Sequence, residues 1–408
     1  MKPTRQQPRI IPAFGRLSLF TARVLRAWRT FAGASRTGRA TPSCRTALAG
    51  RSVLSGRVLP SGSAEQTGRA LPFARTLLVA AAMALAVAAC GDDSPDTVTV
   101  IAHDSFSISE ESLAAFTEDT GITVEVLSAG DTGAMVAEAI LVAGDPIADV
   151  MFGIDNTFLQ RGLDADLFDP YRSPRLDEVI DGLAIDGEHR VTPIDFGDVC
   201  VNYWIDALPA DPPQTLEDLL DPAFADQLVV QSPETSSPGL AFLLATVAGT
   251  DDWEAFWAGL VDNGVSVTAG WEDAYYSEFT AGGGDRPLVV SYASSPPAEV
   301  IFADPPVDTA PTGILADSCF RQIEFAGVLR GAANPQGAQR FIDFLLSERF
   351  QEEIPLSMFV FPALASAGLP PEFAEHAVLT DDPLTMTPLE IEENRDAWVD
   401  RWVEIVLG

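Results

Sequence analysis

Thr97–Ala102 reads T-V-T-V-I-A, a run of β-branched residues that alternates as a strand does. The segments after it repeat a strand–helix unit. Ser107 and Glu110 have the spacing of a capping box, opening a helix that carries Leu113 and Phe116 and stops at Gly121. Ile122–Leu127 is a second strand, a helix through Met135, Ala139 and Ile140 follows, and Ala148–Ile154 is a third strand. Strands and helices in alternation imply a mostly parallel, doubly wound sheet.

Val199–Trp204 reads as a strand leaving this unit. A second unit follows, with a helix near Thr215–Leu220, a strand Gln227–Val230, helices from Ser237 and Asp252, strands Val265–Thr268 and Leu288–Val290, and a helix from near Pro297. Phe320–Leu329 leads back, and helices at Pro335–Leu346, Ser347–Glu353 and Pro388–Val406 close the chain. In the last helix Trp398, Trp402 and Val406, at i, i+4 and i+8, predict one packing face. The expected architecture is two α/β lobes whose sheets are joined by two hinge strands. Residues 97–198 form the first lobe, 199–318 the second, and 319–408 the return strand and the rest of the first. Ligands bind beyond the carboxyl ends of strands in such sheets, and between lobes that close like a hinge.

Charge divides the chain. Residues 1–89 hold one Lys and 13 Arg against Glu65, leaving 11 Arg against 58 acids in 90–408, a net of −47. A surface so acidic repels phosphate and excludes nucleic acid as a partner, while it suits cationic ligands. Within the basic part, Arg69 and Arg75 precede Thr76–Ala89, an apolar run too short for a membrane span but suited to a signal-peptide core. It ends V-A-A-C at Cys90, and Gly91–Asp96 is a polar tether. Small residues before that cysteine resemble a bacterial lipobox, in which Cys90 is lipidated and becomes the first mature residue. The alternative is an ordinary signal peptide with a chance cysteine. Residues 1–75 are then a leader, read as a start placed too far upstream. The expected location is export, with the chain lipid-anchored at the outer face of the cytoplasmic membrane or in the periplasm. With Cys44 in the leader, Cys200 and Cys319 remain, and an exported chain sits where disulfides persist. We expect them to pair; the alternative is two buried free thiols in neighbouring strands.

The strand ends collect a set of polar and aromatic residues. His103 and Asp104 follow the first strand, Asp131 and Thr132 the second, and Asp155 and Asn156 the third. Asp195-Phe196-Gly197 precedes the first crossing strand, and Ser236 lies in T-S-S-P-G, which opens a helix whose amides suit an anion. Gly270-Trp271 begins a short helical pattern ending at Tyr275-Tyr276, and Leu288–Val290 runs into Ser291-Tyr292. Aromatic faces beside small hydroxyls suit a flat organic cation, which gains over a ring where water is excluded. Taken singly, a strand-end Asp is more often a turn or cap, and Trp271 or Tyr292 more often core.

The motifs D-S-F (Asp104–Phe106), G-I-D-N (Gly153–Asn156), D-F-G (Asp195–Gly197), T-S-S-P-G-L (Thr235–Leu240), G-W-E-D-A-Y (Gly270–Tyr275) and S-Y-A-S-S-P (Ser291–Pro296) occur in order, with I-P…F-P at Ile354–Pro362. Together they resemble the thiamine-binding substrate-binding proteins of ABC importers, within the wider group that binds iron, sulfate and polyamines, over essentially all of 97–408. The resemblance implies a type II periplasmic-binding-protein fold and no cofactor. Its implied partners are thiamine or thiamine phosphate, a permease with its ATPase, and the membrane through the lipid; the protein is expected to be a monomer. It also implies that Trp271 and Tyr292 flank the thiamine rings, that Asp131 and Asp155 face the aminopyrimidine or the thiazolium charge, and that Ser236 sits at the hydroxyethyl or phosphate end. Of the positions that depart from the family, His103 replaces a Tyr, Phe359 a Trp, and Ala298 a second Tyr. Glu234, where relatives have a basic residue, predicts a preference for unphosphorylated thiamine.

Two other readings compete. Tyr275-Tyr276 offers phenolates for ferric iron on the same fold, although the preceding Gly-Trp is better explained by an organic ligand. An exported enzyme lacks support: there is no Gly-x-Ser-x-Gly and no His-Glu-x-x-His, and His103, His189 and His376 are scattered, so no metal site is expected.

Overall fold

The structure is a computed structural model that describes residues 97–408. The leader, the apolar core at 76–89, the tether and the lipidation site Cys90 lie outside the described residues.

The first repeat folds as its periodicity dictates. β1 (Thr97–Ala102) pairs in parallel with β2 (Thr123–Ser128) and β3 (Val150–Asp155), connected through α1 (Glu110–Thr120) and α2 (Thr132–Leu141). All six residues of β3 are buried, as befits a central strand covered on both faces. The cap of α1 is Ser109 rather than Ser107: its Oγ accepts from the Ser112 amide at 3.1 Å. The carboxylate that completes the cap is Glu353, from a helix far along the chain, so Glu110 is left as the first helical residue.

After α3 (Leu159–Asp164) and the short β4 (Phe168–Asp169) comes β5 (Thr192–Trp204), longer than its apolar C-terminal half predicts. Asp195–Gly197 therefore lies inside the strand rather than before it. Its partners supply the reason: β9 (Thr312–Leu329) runs antiparallel to β5, placing Glu324 opposite Asp195 and Ile323 opposite Phe196. Pairing on both sides overrides the turn chemistry of Asp-Phe-Gly.

One sheet of ten strands results, eight of them in the order β2-β1-β3-β9-β5-β8-β6-β7 with β4 paired to β9 and a tenth, β10 (Phe361–Pro362), to β5; β6 is Leu228–Gln231, β7 Ser266–Thr268 and β8 Leu288–Tyr292. It has two halves. The N-terminal part of β5 and the C-terminal part of β9 belong with β3, while Val199–Tyr203 pairs with β8. At the changeover, Val199 faces Phe320 but Val201 faces Leu315, so residues 316–319 bulge opposite Cys200 alone. The Ser318 hydroxyl replaces the missing ladder partner, accepting from the Val201 amide at 2.8 Å and donating to the Leu315 carbonyl at 2.7 Å. Cys200 and Cys319 are joined there by a disulfide of 2.04 Å.

In the second half α4 (Ser237–Gly249) is buried over its first ten residues, Ser237–Thr246, and forms the core beneath β6 and β8. α5 (Trp253–Asp262) covers it, with Trp257 edge-on to Phe242 at 5.6 Å. The helix expected near Thr215–Leu220 is only a short 3-10 turn, Glu217–Leu220, because Pro212-Pro213 and Pro222 bound the segment. α6 (Trp271–Asp273) passes into a π-turn at Ala274–Glu278, and α7 (Pro296–Ile301) follows β8. α8 (Pro335–Leu345), α9 (Glu348–Ser357), β10 (Phe361–Pro362) and α10 (Pro371–His376) return to the first half, where β10 pairs with β5. α11 (Pro388–Val406) buries Ile391, Arg395, Val399 and Trp402, so its face is turned slightly from the expected tryptophan stripe. It touches both halves: Trp402 packs edge-on to Trp257 at 5.5 Å, and Asp396 holds Arg161 of α3 at 3.0 Å.

Candidate functional site

The two halves meet beyond the carboxyl ends of β1, β2 and β3. Asp104, after β1, accepts from the Ser128 hydroxyl and from the Gly130 amide at 3.1 Å, fixing the loop after β1 to that after β2. Asp131 caps α2, accepting from its neighbour Thr132 at 2.7 Å. The same carboxylate reaches across the divide, taking the Ser237 amide at 3.3 Å and the Trp271 amide at 3.1 Å. Thr132 donates to the Gly153 carbonyl at 2.9 Å. Gly153 is required here: its φ is +100°, and an added Cβ would come within 2.2 Å of the His103 ring.

Behind this line lies buried charge. Asp155 is fully buried and accepts from Thr157 Oγ1 and Gln322 Nε2, each at 2.7 Å, and from the Ser237 hydroxyl of the second half. Burial lifts its carboxyl to about 6 in spite of these donors. Asp195 and Glu324, opposite one another on β5 and β9, are both buried; burial first, and then the Glu324 charge, raise Asp195 well above the usual carboxylate range. His103 Nε2 lies 3.1 Å from Glu324 Oε1. Burial opposes its charge, but Glu324, Asp131 and Asp104 together outweigh burial and raise the imidazole above its ordinary value. The Tyr292 phenol is raised well above its normal range by burial and by Glu324, Asp131, Asp155 and Asp195, and so stays neutral.

The second half contributes rings and hydroxyls. Trp271 stacks on Tyr275 at 4.8 Å and 25°, and its indole N–H donates to Ser291 Oγ at 3.0 Å. Ser291 in turn lies 2.9 Å from Ser295 Oγ. The Tyr275 hydroxyl donates to Glu299 at 2.6 Å, while Tyr276, edge-on to Trp271, is 57% exposed. Burial and then nearby carboxylates raise both phenols above their ordinary value, Tyr275 strongly.

Of the residues singled out by sequence, His103, Asp131, Asp155, Trp271, Tyr275, Ser291 and Tyr292 form two linked clusters at the divide. Others serve the frame. The Asn156 side chain is taken up by β9 backbone, donating to the Arg321 carbonyl at 3.1 Å and accepting from the Ile323 amide at 2.8 Å. Ser236 caps α4, and it is Ser237 that crosses to Asp155. Phe359, at φ +56°, packs edge-on to Phe302 at 5.9 Å. Sequence reasoning missed Gln322, Glu324, Ser237 and Glu299, and did not include Asp195 among the site residues. A signal existed for two of them: Gln322 and Glu324 punctuate a strand whose C-terminal part is otherwise apolar, F-R-Q-I-E-F-A-G-V-L.

Known proteins resemble this chain throughout the described region. A thiamine-binding periplasmic protein of Brucella suis biovar 1 is 29% identical over 316 residues, covering 76% of this chain and 91% of the relative. A solved structure, a periplasmic thiamin binding protein, superposes with a TM-score of 0.69 at 27% identity, covering 78% of this chain and 98% of its own. The ferric binding protein from Campylobacter jejuni superposes at 0.62 with 19% identity, covering 76% and 99%, a likeness of fold alone. The two-lobe type II periplasmic-binding-protein fold is thus shared with these structures. Residues 111–381 match the family described as bacterial extracellular solute-binding protein, and the chain belongs to that family.

Proposed function

We propose that the protein captures thiamine between the halves of its sheet and hands it to the permease and ATPase of an ABC importer. The observation that carries this reading is that the aromatic and hydroxyl cluster of Trp271, Tyr275 and Ser291 is joined at the divide to the carboxylates of the first half, Asp131 accepting from the Trp271 amide at 3.1 Å. A planar cation with an apolar body matches both sides. The thiamine-binding names of relatives that cover most of the chain support it further. Trp271 and Tyr292 flank the rings, and Asp131 and Asp155 face the aminopyrimidine and the thiazolium. Function is capture without chemistry: contacts from both halves favour the closed state, which the permease recognises. Glu234, beside the cap of α4, disfavours a phosphate tail, so thiamine is preferred over its esters.

Export and a lipid on Cys90 keep the monomeric binder at the outer membrane face, with more than one acyl chain needed for stable anchoring. The iron reading is weaker, since the ferric binding protein shares the fold at only 19% identity while the thiamine-binding relative is 29% identical over 316 residues. Calorimetric titration of thiamine and thiamine monophosphate into metal-free protein tests the proposal. One-to-one binding of thiamine, tighter than its ester and accompanied by tryptophan quenching, is expected. Absence of heat with thiamine alongside uptake of Fe(III) would overturn it.

A further inference from the structure

The carboxylates at the divide already hold one titratable base between them, the His103 imidazole. Among the described residues His103 is the one basic side chain in contact with the buried acids of the cleft: Glu324 lies 3.1 Å away on β9, and Asp131 and Asp104 add their fields from the cap of α2 and the loop after β1. Asp155 on β3 and Asp195 on β5 face Glu324, and Glu272 on α6 lies within the field of His103. Asp195 is 2% exposed, and its Oδ2 has no hydrogen-bond donor among the described residues. Glu324 is paired with one imidazole, beside Asp155, which has its own donors, and Asp195, which burial and Glu324 hold toward its neutral form. A second cation entering beside it repels the first.

We propose that Glu324 is the charge-selecting residue of the cleft and His103 its resident counter-ion. A ligand with a fixed positive charge takes over the compensation of Glu324, and the His103 imidazolium releases its Nε2 proton to solvent. One proton therefore leaves for each ligand bound, and no other bond changes. This rests on the thiamine reading of the cleft, because the quaternary thiazolium nitrogen has no proton to lose and keeps its charge around neutral pH. It also accounts for a histidine at a position adjoining a cation, where an imidazolium that stayed charged would weaken binding.

The sign follows from linkage. Below the pKa of His103 the imidazolium must be discharged before the cation is accepted, so affinity falls by up to about tenfold for each unit of acidification. Above that pKa affinity levels off. The test is calorimetric titration of thiamine into the full chain at pH 7.5, in phosphate and in Tris, whose ionisation heats differ. At this pH Asp155, which titrates at about 6, is already ionised. The wild type is expected to release a measurable fraction of one proton per thiamine, declining as the pH is raised. His103→Gln, which keeps a polar side chain but no titratable charge, is expected to bind without release. Glu324→Gln is expected to lose both the release and at least tenfold in affinity.

Release that persists in His103→Gln would move the proton to the Asp195–Glu324 pair and overturn the proposal. Thiamine binding in the wild type with no dependence on the buffer would overturn it while leaving the thiamine reading intact. No heat at any pH would overturn that reading, and the proposal with it.

Discussion

The two halves of the sheet bring different chemistry to one cleft. From the first come His103, Asp131, Asp155, Asp195 and Glu324, charges held largely out of water; from the second come Trp271, Tyr275, Ser291 and the neutral phenol of Tyr292. Buried carboxylates raise the energy of the empty site and make it sensitive to pH, whereas stacked rings and paired hydroxyls are satisfied in place. The first half therefore supplies charge discrimination at a cost in stability. The second supplies contact area at little cost. Joining them is the point where both long strands change partners.

The largest test concerns that junction. The Cys200–Cys319 bond closes a loop with a sequence separation of 119. Replacing both cysteines by serine is expected to remove about 5 kcal/mol by loop-entropy arithmetic. Unfolding should then separate into two steps. Within the described residues every tryptophan lies in the second half or on α11: Trp204, Trp253, Trp257, Trp271, Trp398 and Trp402. Indole fluorescence therefore weights the second half and α11, far-ultraviolet dichroism follows the whole, and non-coincident urea transitions are the expected sign. Coincident curves at an unchanged midpoint would mean that the halves are held together by something other than the bridge.

Next in size is the stability cost of the charged half. Asp155 is raised by burial to about 6, above its value in an unfolded chain. A carboxyl raised in the fold contributes stability that is complete below the unfolded pKa and is lost as pH rises through the folded one. Between about pH 4 and 6 the protein should thus lose up to about 3 kcal/mol from this group. Urea unfolding across that window checks the slope, and Asp155→Asn should flatten it. A slope that survives the substitution would place the cost on Asp195 instead.

These effects depend on residues of unequal legibility in the sequence. The alternation of T-V-T-V-I-A with helical periods predicts β1 to β3, because local propensity and tertiary pairing agree there. Pairing of Cys200 with Cys319 was also readable from cysteine count and strand pattern. The first half of β5 was not, since Asp195-Phe196-Gly197 has turn chemistry and becomes strand only through β9 and β10. In the site, Trp271 and Ser291 were found by motif and do meet, indole to hydroxyl. Glu324 went unnoticed because its partner His103 is 221 positions earlier, and only the sheet brings the two within 3.1 Å. Ser236 and Asn156 look like ligand groups in sequence, yet their side chains are used for a helix cap and a strand edge.

The aromatic half is tested by Trp271→Ala. Loss of the stacked indole is expected to weaken thiamine by about 2 kcal/mol, roughly thirtyfold. Titration calorimetry reads the loss directly. Because Trp271 carries no charge, the pH dependence of binding should keep its shape while the whole curve shifts. A change of shape would show that the ring wall and the carboxylates do not act separately.

The smallest effect sharpens the same contrast. Tyr275 contributes both a ring, stacked on Trp271, and a hydroxyl that donates to Glu299 at 2.6 Å. Tyr275→Phe keeps the ring and removes the donor, leaving the partly buried Glu299 carboxylate without that bond. The fold should lose about 1 kcal/mol. If the second half acts through contact area alone, thiamine affinity should stay within about twofold of wild type, since the stacked face presented to the ligand is unchanged. Thermal unfolding and titration on the same sample separate the two. A loss of affinity larger than the loss of stability would mean that the Tyr275–Glu299 pair holds Trp271 in place, and that polar bonding positions the aromatic half much as it positions the charged one.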